Sequence, residues 1–261
     1  MTRATTRAIV PMKSLAESKS RLAVLLAPAQ RRALARAMFL DVVEVLVGHP
    51  RLRGIALVSA DPEVLALAAD CKLESIEETP PRGGGLNAAV AAAAGACRAA
   101  SDRLLVVHAD LPLLAGDDID AALAGLSEGA DLVIGTDRAG RGSNLLGFRS
   151  AAIPDFRFGE GSCQRHCDWA REAGMRATVL QRSGIASDID APEDLVHLLD
   201  PRGPEPGPRT AAVVRNWPQA RIMLPVGRAP VGQCGGNAAF GGCASGCGGA
   251  GVRDSGDTVG D

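Results

Sequence analysis

The sequence predicts an α/β fold: a three-layer, mostly parallel sheet with helices on both faces. Three observations carry this. Short runs such as Ile55-Ala56-Leu57-Val58 and Leu104-Leu105-Val106-Val107 are apolar at every position, as strands covered on both sides are. Helical stretches bounded by turn and cap residues alternate with these runs. The 261 residues, 46% of them hydrophobic, suffice for a sizeable core. Aromatics are only 3% and Tyr is absent, so that core is built from Ala, Val, Leu and Ile.

Strands are expected at residues 7–11, 54–60, 72–76, 103–109, 131–135, 144–148 and 176–181. Helices are expected at 28–48, 62–70, 86–100, 117–126, 162–174 and 192–200. The first helix opens on Pro28, which suits a first turn, and stops at Gly48-His49-Pro50. Asp117 and Asp118 read as caps of the helix they open. No internal repeat is present. In such a fold the ligand crevice lies at the carboxyl ends of the strands.

Composition changes near Pro201. Residues 1–201 read as one domain. Residues 202–261 are crowded with Gly and Pro and contain no Lys. So little periodic apolar content does not offset ordering entropy, so 202–261 is expected to be a disordered tail.

The net charge of −2 argues against wholesale nucleic-acid binding. No apolar run approaches the ~18–20 residues of a membrane span. The amino terminus has no apolar region followed by a small-residue cleavage site, so no signal peptide is expected. The seven cysteines are odd in number and scattered, unlike a disulfide framework. A reduced, cytoplasmic protein is the simpler reading.

The first strand runs into a loop carrying Lys13, Lys19 and Arg21. Cations at a strand's carboxyl end suit a triphosphate, whose transfer chemistry needs charge neutralised. The alternative is a solvated surface loop. Neither a Walker A motif nor a dinucleotide glycine fingerprint follows this strand. Gly83-Gly84-Gly85-Leu86-Asn87 opens an alanine-rich helix, where backbone N–H groups can meet a ligand. Asn87 can cap that helix or read a base edge.

Asp110 follows the strand 103–109, and Leu111-Pro112 ends it. Asp188-Ile189-Asp190 precedes the helix start Pro192-Glu193-Asp194. Alternate residues of an extended segment share a face, so Asp188 and Asp190 can point together. Carboxylates in such places suit Mg²⁺, which is commonly shared with substrate phosphates; turn formation and capping are the alternatives. Arg141-Gly142-Ser143-Asn144 and Phe158-Gly159-Glu160-Gly161-Ser162 offer small hydroxyls and a helix start for an anion, though Ser162 is also an ordinary cap. His166 sits between Cys163 and Cys167, but no second ligand pair is spaced for zinc.

Taken in order, Pro11-Met12-Lys13, Lys19-Ser20-Arg21-Leu22, Gly85-Leu86-Asn87, Asp110-Leu111-Pro112, Gly142-Ser143-Asn144, Phe158-Gly159 with Ser162 and His166, and Asp188-Ile189-Asp190 form a recognisable series. It resembles the guanylyltransferases that activate a small phosphorylated acid with GTP in biosynthesis of the deazaflavin coenzyme F(420). Family members are named for 2-phospho-L-lactate, phosphoenolpyruvate or 3-phospho-D-glycerate. The match covers roughly residues 7–200.

The resemblance implies a nucleotide-diphospho-sugar-transferase-like fold, dependence on Mg²⁺, and GTP as co-substrate. It implies metal ligands at Asp110, Asp188 and Asp190, and triphosphate contacts at Lys13, Lys19 and Arg21. Leu86 and Asn87 fall on the nucleoside side; Ser143, Gly159 and Ser162 fall at the acceptor phosphate. Position 143 is Ser where the family pattern usually has Thr. The implied partners are GTP, the phosphorylated acid and a downstream deazaflavin-accepting transferase; a homodimer is compatible with the reading. The rivals are a sugar-phosphate or molybdopterin nucleotidyltransferase, a non-catalytic nucleotide-binding relative and a dinucleotide-dependent oxidoreductase. The first usually carries a Gly-rich, Arg-containing loop where this chain has Pro11-Met12-Lys13. The second is expected to have lost acidic residues that are present here. The third lacks its glycine fingerprint.

Overall fold

A computed structural model describes residues 4–78, 85–200 and 202–217. Among these, seven strands form one sheet: β1 (Thr6–Pro11), β2 (Leu52–Ser59), β3 (Glu74–Glu77), β4 (Arg103–Val107), β5 (Leu132–Thr136), β6 (Ser143–Arg149) and β7 (Ala177–Leu180). Their spatial order is β3-β2-β1-β4-β6-β5-β7. Every pairing is parallel except those of β6, which runs antiparallel to both β4 and β5. The short link 137–142 leaves no room for a crossover helix, so β6 turns back beside β5. Asp137 holds that turn, its Oδ1 accepting the Arg141 N–H at 2.7 Å.

The helices are α1 (Pro28–Gly48), α2 (Pro62–Asp70), α3 (Gly85–Cys97), α4 (Gly116–Ser127), α5 (Ser162–Glu172), α6 (Ser183–Ala186), α7 (Pro192–Leu198) and α8 (Pro208–Arg215). Side-chain alternation along the strands feeds two cores. Ala8, Val10, Leu105, Val107, Val133 and Leu145 face α1, α2 and α4 on one side. Ile9, Leu104, Val106, Ile134, Leu146 and Phe148 face α3 and α5 on the other. On that second face α3 contributes mostly small residues: Ala89, Val90, Ala93 and Ala94.

The six expected long helices and seven expected strands form, with ends shifted by a few residues. β3 starts at Glu74 rather than 72, because Lys72 takes a left-handed φ of 56° and turns the chain out of α2. Asp118 caps as expected: its Oδ2 accepts the Ala115 N–H at 3.0 Å.

The domain boundary at 201 needs correction. Residues 202–217 join the folded unit, and α8 lies on α1. Val214 and Trp217 pack with Leu34, Met38, Leu195 and Leu198. The Asp41 carboxylate, buried in the middle of α1, accepts the Arg209 N–H at 3.1 Å and the Thr210 N–H at 2.8 Å. It therefore satisfies the free amides at the start of α8. Gly207 makes this possible, since a Cβ there would stand 2.4 Å from the Asp41 carboxyl carbon. The rest of the expected tail, 218–261, lies outside the described residues.

Candidate active site

Strand order reverses between β1 and β4: β2 and β3 lie on one side of β1, while β4 opens the other. Open α/β sheets bind ligands at such a switch point. Here the carboxyl ends of β1, β2 and β4 border a cavity of about 990 Å³. That is the upper end of small-molecule sites and has room for a nucleotide.

Lys13, Ser14 and Lys19 line the cavity from the loop after β1, Leu86 from α3, and Asp110 and Asp190 beside Lys19. Six sequence-predicted or neighbouring loop residues thus converge. Arg21 does not: it is exposed on a short 3₁₀ turn, Ser20–Val24, and lies off the cavity lining. Gly83 and Gly84 fall outside the described residues.

Lys19 is the centre of the charge arrangement. Its Nζ donates to Asp110 Oδ2 at 2.6 Å and to Asp190 Oδ1 at 2.7 Å. Burial alone would lower the Lys19 pKa, but the two carboxylates outweigh it and raise it above the usual lysine value. Burial likewise opposes ionisation of Asp110, yet the Lys19 ammonium holds its carboxyl below the ordinary range. The Lys19 backbone is left-handed, with φ of 59°, a costly conformation for a residue with a Cβ.

Asp188 lies beside this pair. Its Oδ1 accepts from Asn144 Nδ2 at 3.0 Å, and the same Asn144 nitrogen donates to the Ile185 carbonyl at 2.9 Å. Burial, and then the Asp110 charge, push the Asp188 carboxyl up to about 6. Asp110 Oδ1 is buried without a hydrogen-bond partner. Two carboxylates therefore share one ammonium, a third lies beside them on Asn144, and one Asp110 oxygen is orphaned. Such a donor set suits a hard divalent cation. Among the described residues no three acidic, His or Cys side chains already converge as ligands, and Lys19 stands between two of them.

Of the remaining predicted residues, Ser143 and Ser162 are buried in a network with His166, Asn87 is half-buried and Gly159 is exposed. Ser162 is the first residue of α5 rather than its cap, which is Gly161. Its Oγ accepts the Ser143 N–H at 2.8 Å. Ser143 Oγ meets His166 Nδ1 at 3.0 Å, and His166 Nε2 accepts the Arg157 N–H at 2.9 Å. That second bond requires a bare Nε2, which leaves the proton of the neutral ring on Nδ1, donating to Ser143. The amides of Ser162 and Cys163 already donate to the Gly159 and Arg141 carbonyls. Asn87 lies within α3 rather than at its cap. Its Oδ1 accepts the Phe158 N–H at 2.8 Å and its Nδ2 donates to the Phe158 carbonyl at 3.4 Å. The Phe158 ring then packs 5.1 Å from that of His108, which lines the cavity. Gly159 follows with φ of 119°, a conformation closed to most side chains.

Three contributors escaped the sequence reading as site residues. Asn144 orients Asp188. His108 lies beside Asp110 with its Nε2 buried and unpartnered, and burial lowers its pKa. Asp61 caps α2 through the Glu63 N–H and also accepts the Leu15 N–H at 3.1 Å, shaping the lysine loop. Asn144 stood in the Gly142-Ser143-Asn144 motif without a role of its own, and Asp61-Pro62 carries a helix-start signal.

A family model described as guanylyl transferase, CofC like, matches residues 6–201. Phosphoenolpyruvate guanylyltransferase of Sphaerobacter thermophilus is 39% identical over 195 residues, covering 74% of this chain and 92% of that protein. 3-Phospho-D-glycerate guanylyltransferase of Phenylobacterium zucineum is 36% identical over 211 residues, covering 79% and 94%. A solved structure from Desulfovibrio desulfuricans G20, assigned as a nucleotide-diphospho-sugar transferase, matches with a TM-score of 0.69 at 19% identity, covering 84% of this chain and 98% of that one. That last likeness speaks to fold alone. The family match spans β1, the lysine loop, the three aspartates and α7, and so the chain belongs to the CofC-like guanylyl transferases and is a nucleotidyltransferase.

Proposed function

We propose that this chain transfers GMP from GTP to the phosphate of a small phosphorylated acid, releasing pyrophosphate, as a step toward the coenzyme F(420). The acceptor is phosphoenolpyruvate, 3-phospho-D-glycerate or 2-phospho-L-lactate. The observation that carries this reading is the Lys19–Asp110–Asp190 cluster on the wall of the switch-point cavity.

An acceptor phosphate is already nucleophilic at neutral pH, its second pKa being about 6, so no general base is required. One of its oxygens bonds to the α-phosphorus of GTP as the bond to the β-phosphate oxygen breaks, and pyrophosphate carries away the electron pair. The protein's task is alignment and charge neutralisation. Asp110, Asp188 and Asp190 would hold Mg²⁺, which when bound offsets charge on the triphosphate and the departing pyrophosphate. Lys13 and Lys19 approach the phosphates from the loop after β1. Leu86 packs on the nucleoside side. Asn87 acts at one remove by fixing Phe158 and Gly159. Ser143, Gly159 and Ser162 serve the acceptor side, with His166 orienting the Ser143 hydroxyl. A cytoplasmic setting is part of the reading, supported by free thiols at Cys71, Cys97, Cys163 and Cys167.

The test is pyrophosphate release by the full chain with GTP and Mg²⁺, each acid supplied separately. The deazaflavin-accepting transferase is included to draw off the product. Release with one acid, and not with ATP or CTP, is the expected result. Silence with all three, from folded protein that binds GTP, would refute the acceptor class.

A further inference from the structure

We propose that Lys19 couples cation binding to nucleotide binding: its ammonium holds the carboxylates of Asp110 and Asp190 until a divalent cation displaces it, and the displaced side chain then engages the nucleotide's phosphates. This rests on the function proposed above.

Four observations support it. The Lys19 side chain is 7% exposed and bridges two carboxylates drawn from distant parts of the chain, at 2.6 and 2.7 Å. It therefore sits where a cation shared by those oxygens would sit. Two positive charges do not share that space, so one must leave. Second, Lys19 satisfies only part of the acidic wall. Asp110 Oδ1 is orphaned, and Asp188 bonds to Asn144 rather than to Lys19. A dication can serve donors that the ammonium leaves unmet. Third, the Lys19 backbone is in the left-handed region, with φ of 59° and ψ of 39°. Strain of this kind persists only while the surroundings enforce it. The two ion pairs are among the contacts that hold Lys19 in that conformation. Fourth, Lys13, Ser14 and Ser18 of the same loop line the cavity, so a released Lys19 has the ligand space beside it.

The consequence is reciprocal. A cation binding alone must evict an ammonium that has nowhere better to go. With a triphosphate in the cavity, the evicted ammonium gains a partner. Each ligand then binds better with the other present, by the same factor.

The experiment is Mn²⁺ binding followed by electron paramagnetic resonance, on the full chain without nucleotide. Lys19→Met is expected to bind Mn²⁺ about 10-fold more tightly than wild type, and to bind GTP about 10-fold more weakly at saturating Mn²⁺. Unchanged or weaker Mn²⁺ binding by folded Lys19→Met overturns the proposal. A second measurement needs no variant. The chain has three lysines, Lys13, Lys19 and Lys72. Lys13 and Lys72 are exposed and serve as references for amine acetylation read by peptide mass spectrometry. Mn²⁺ is expected to raise Lys19 labelling several-fold relative to both. Flat labelling while Mn²⁺ binds overturns the coupling but leaves the guanylyltransferase reading standing. Failure of wild type to bind Mn²⁺ with or without GTP overturns both.

Discussion

His166 shows how a single buried group sets a pH dependence. Its ring is fully enclosed, and burial, followed by the charges of Arg165 and Arg157, lowers its pKa to about 4. The unfolded chain titrates near ~6.5. A base with a depressed folded pKa stabilises the fold fully above the unfolded value and loses that contribution as pH falls toward the folded one. Acidification from pH 7.5 to 4.5 is therefore expected to cost about 2–3 kcal/mol through this residue. Urea unfolding at the two pH values checks it, with His166→Asn flattening the difference; parallel losses in both proteins would refute the assignment. Asp110 makes the complementary case for activity. Asp110→Asn keeps the shape and removes the charge that holds Lys19. Turnover at saturating Mg²⁺ is expected to drop at least ~100-fold, in line with the loss of one preorganised electrostatic group. A near-normal rate would remove Asp110 from the machinery.

Among the elements, α8 is the instructive one. Its sequence, Pro-Arg-Thr-Ala-Ala-Val-Val-Arg, is short and sits in a Gly/Pro-rich context. Nothing local marks it as part of the domain. Its order comes from α1, whose Asp41 caps it across more than 160 residues of chain. Asp41→Ala is expected to cost about 2 kcal/mol in urea unfolding, since it strips the Arg209 amide and the buried Thr210 amide of their acceptor. Ending the chain after residue 201 removes Ala211, Val214 and Trp217 from that packing and is expected to cost about 5 kcal/mol. Equal unfolding midpoints for intact and shortened chains would contradict the packing seen here. The strands behaved differently. Runs such as Leu104–Val107 were legible because burial on both faces demands an apolar residue at every position, a local signature.

At the scale of the molecule, the site is assembled by topology. Lys19, Asp110, Asn144 and Asp190 are far apart in sequence and meet because β1 and β4 are neighbours and β6 returns antiparallel beside β4. That return places the start of β6 against the end of β4, where the Asn144 carbonyl accepts the His108 N–H at 3.0 Å. A ligand bridging these segments should stabilise the whole fold. GTP with Mg²⁺ at about 100 times its Kd is expected to add about 2.7 kcal/mol to unfolding, and GTP with a chelator much less. Equal stabilisation with and without the metal would argue against the carboxylate cluster as its seat.

The sequence by itself determined the three-layer α/β class, the positions of the strands and long helices, and the candidate residues of the site. Each of these rests on signals carried within a few neighbouring residues: apolar runs, helix starts and stops, and motifs in order. Only the tertiary structure decided the partners. Asn87 clamps Phe158, Arg21 stays outside the cavity, Asn144 steers Asp188, and Lys19 lies between carboxylates. Hydrogen bonds and ion pairs between distant segments leave no periodic trace in a chain, because their geometry exists only once the sheet has brought those segments together.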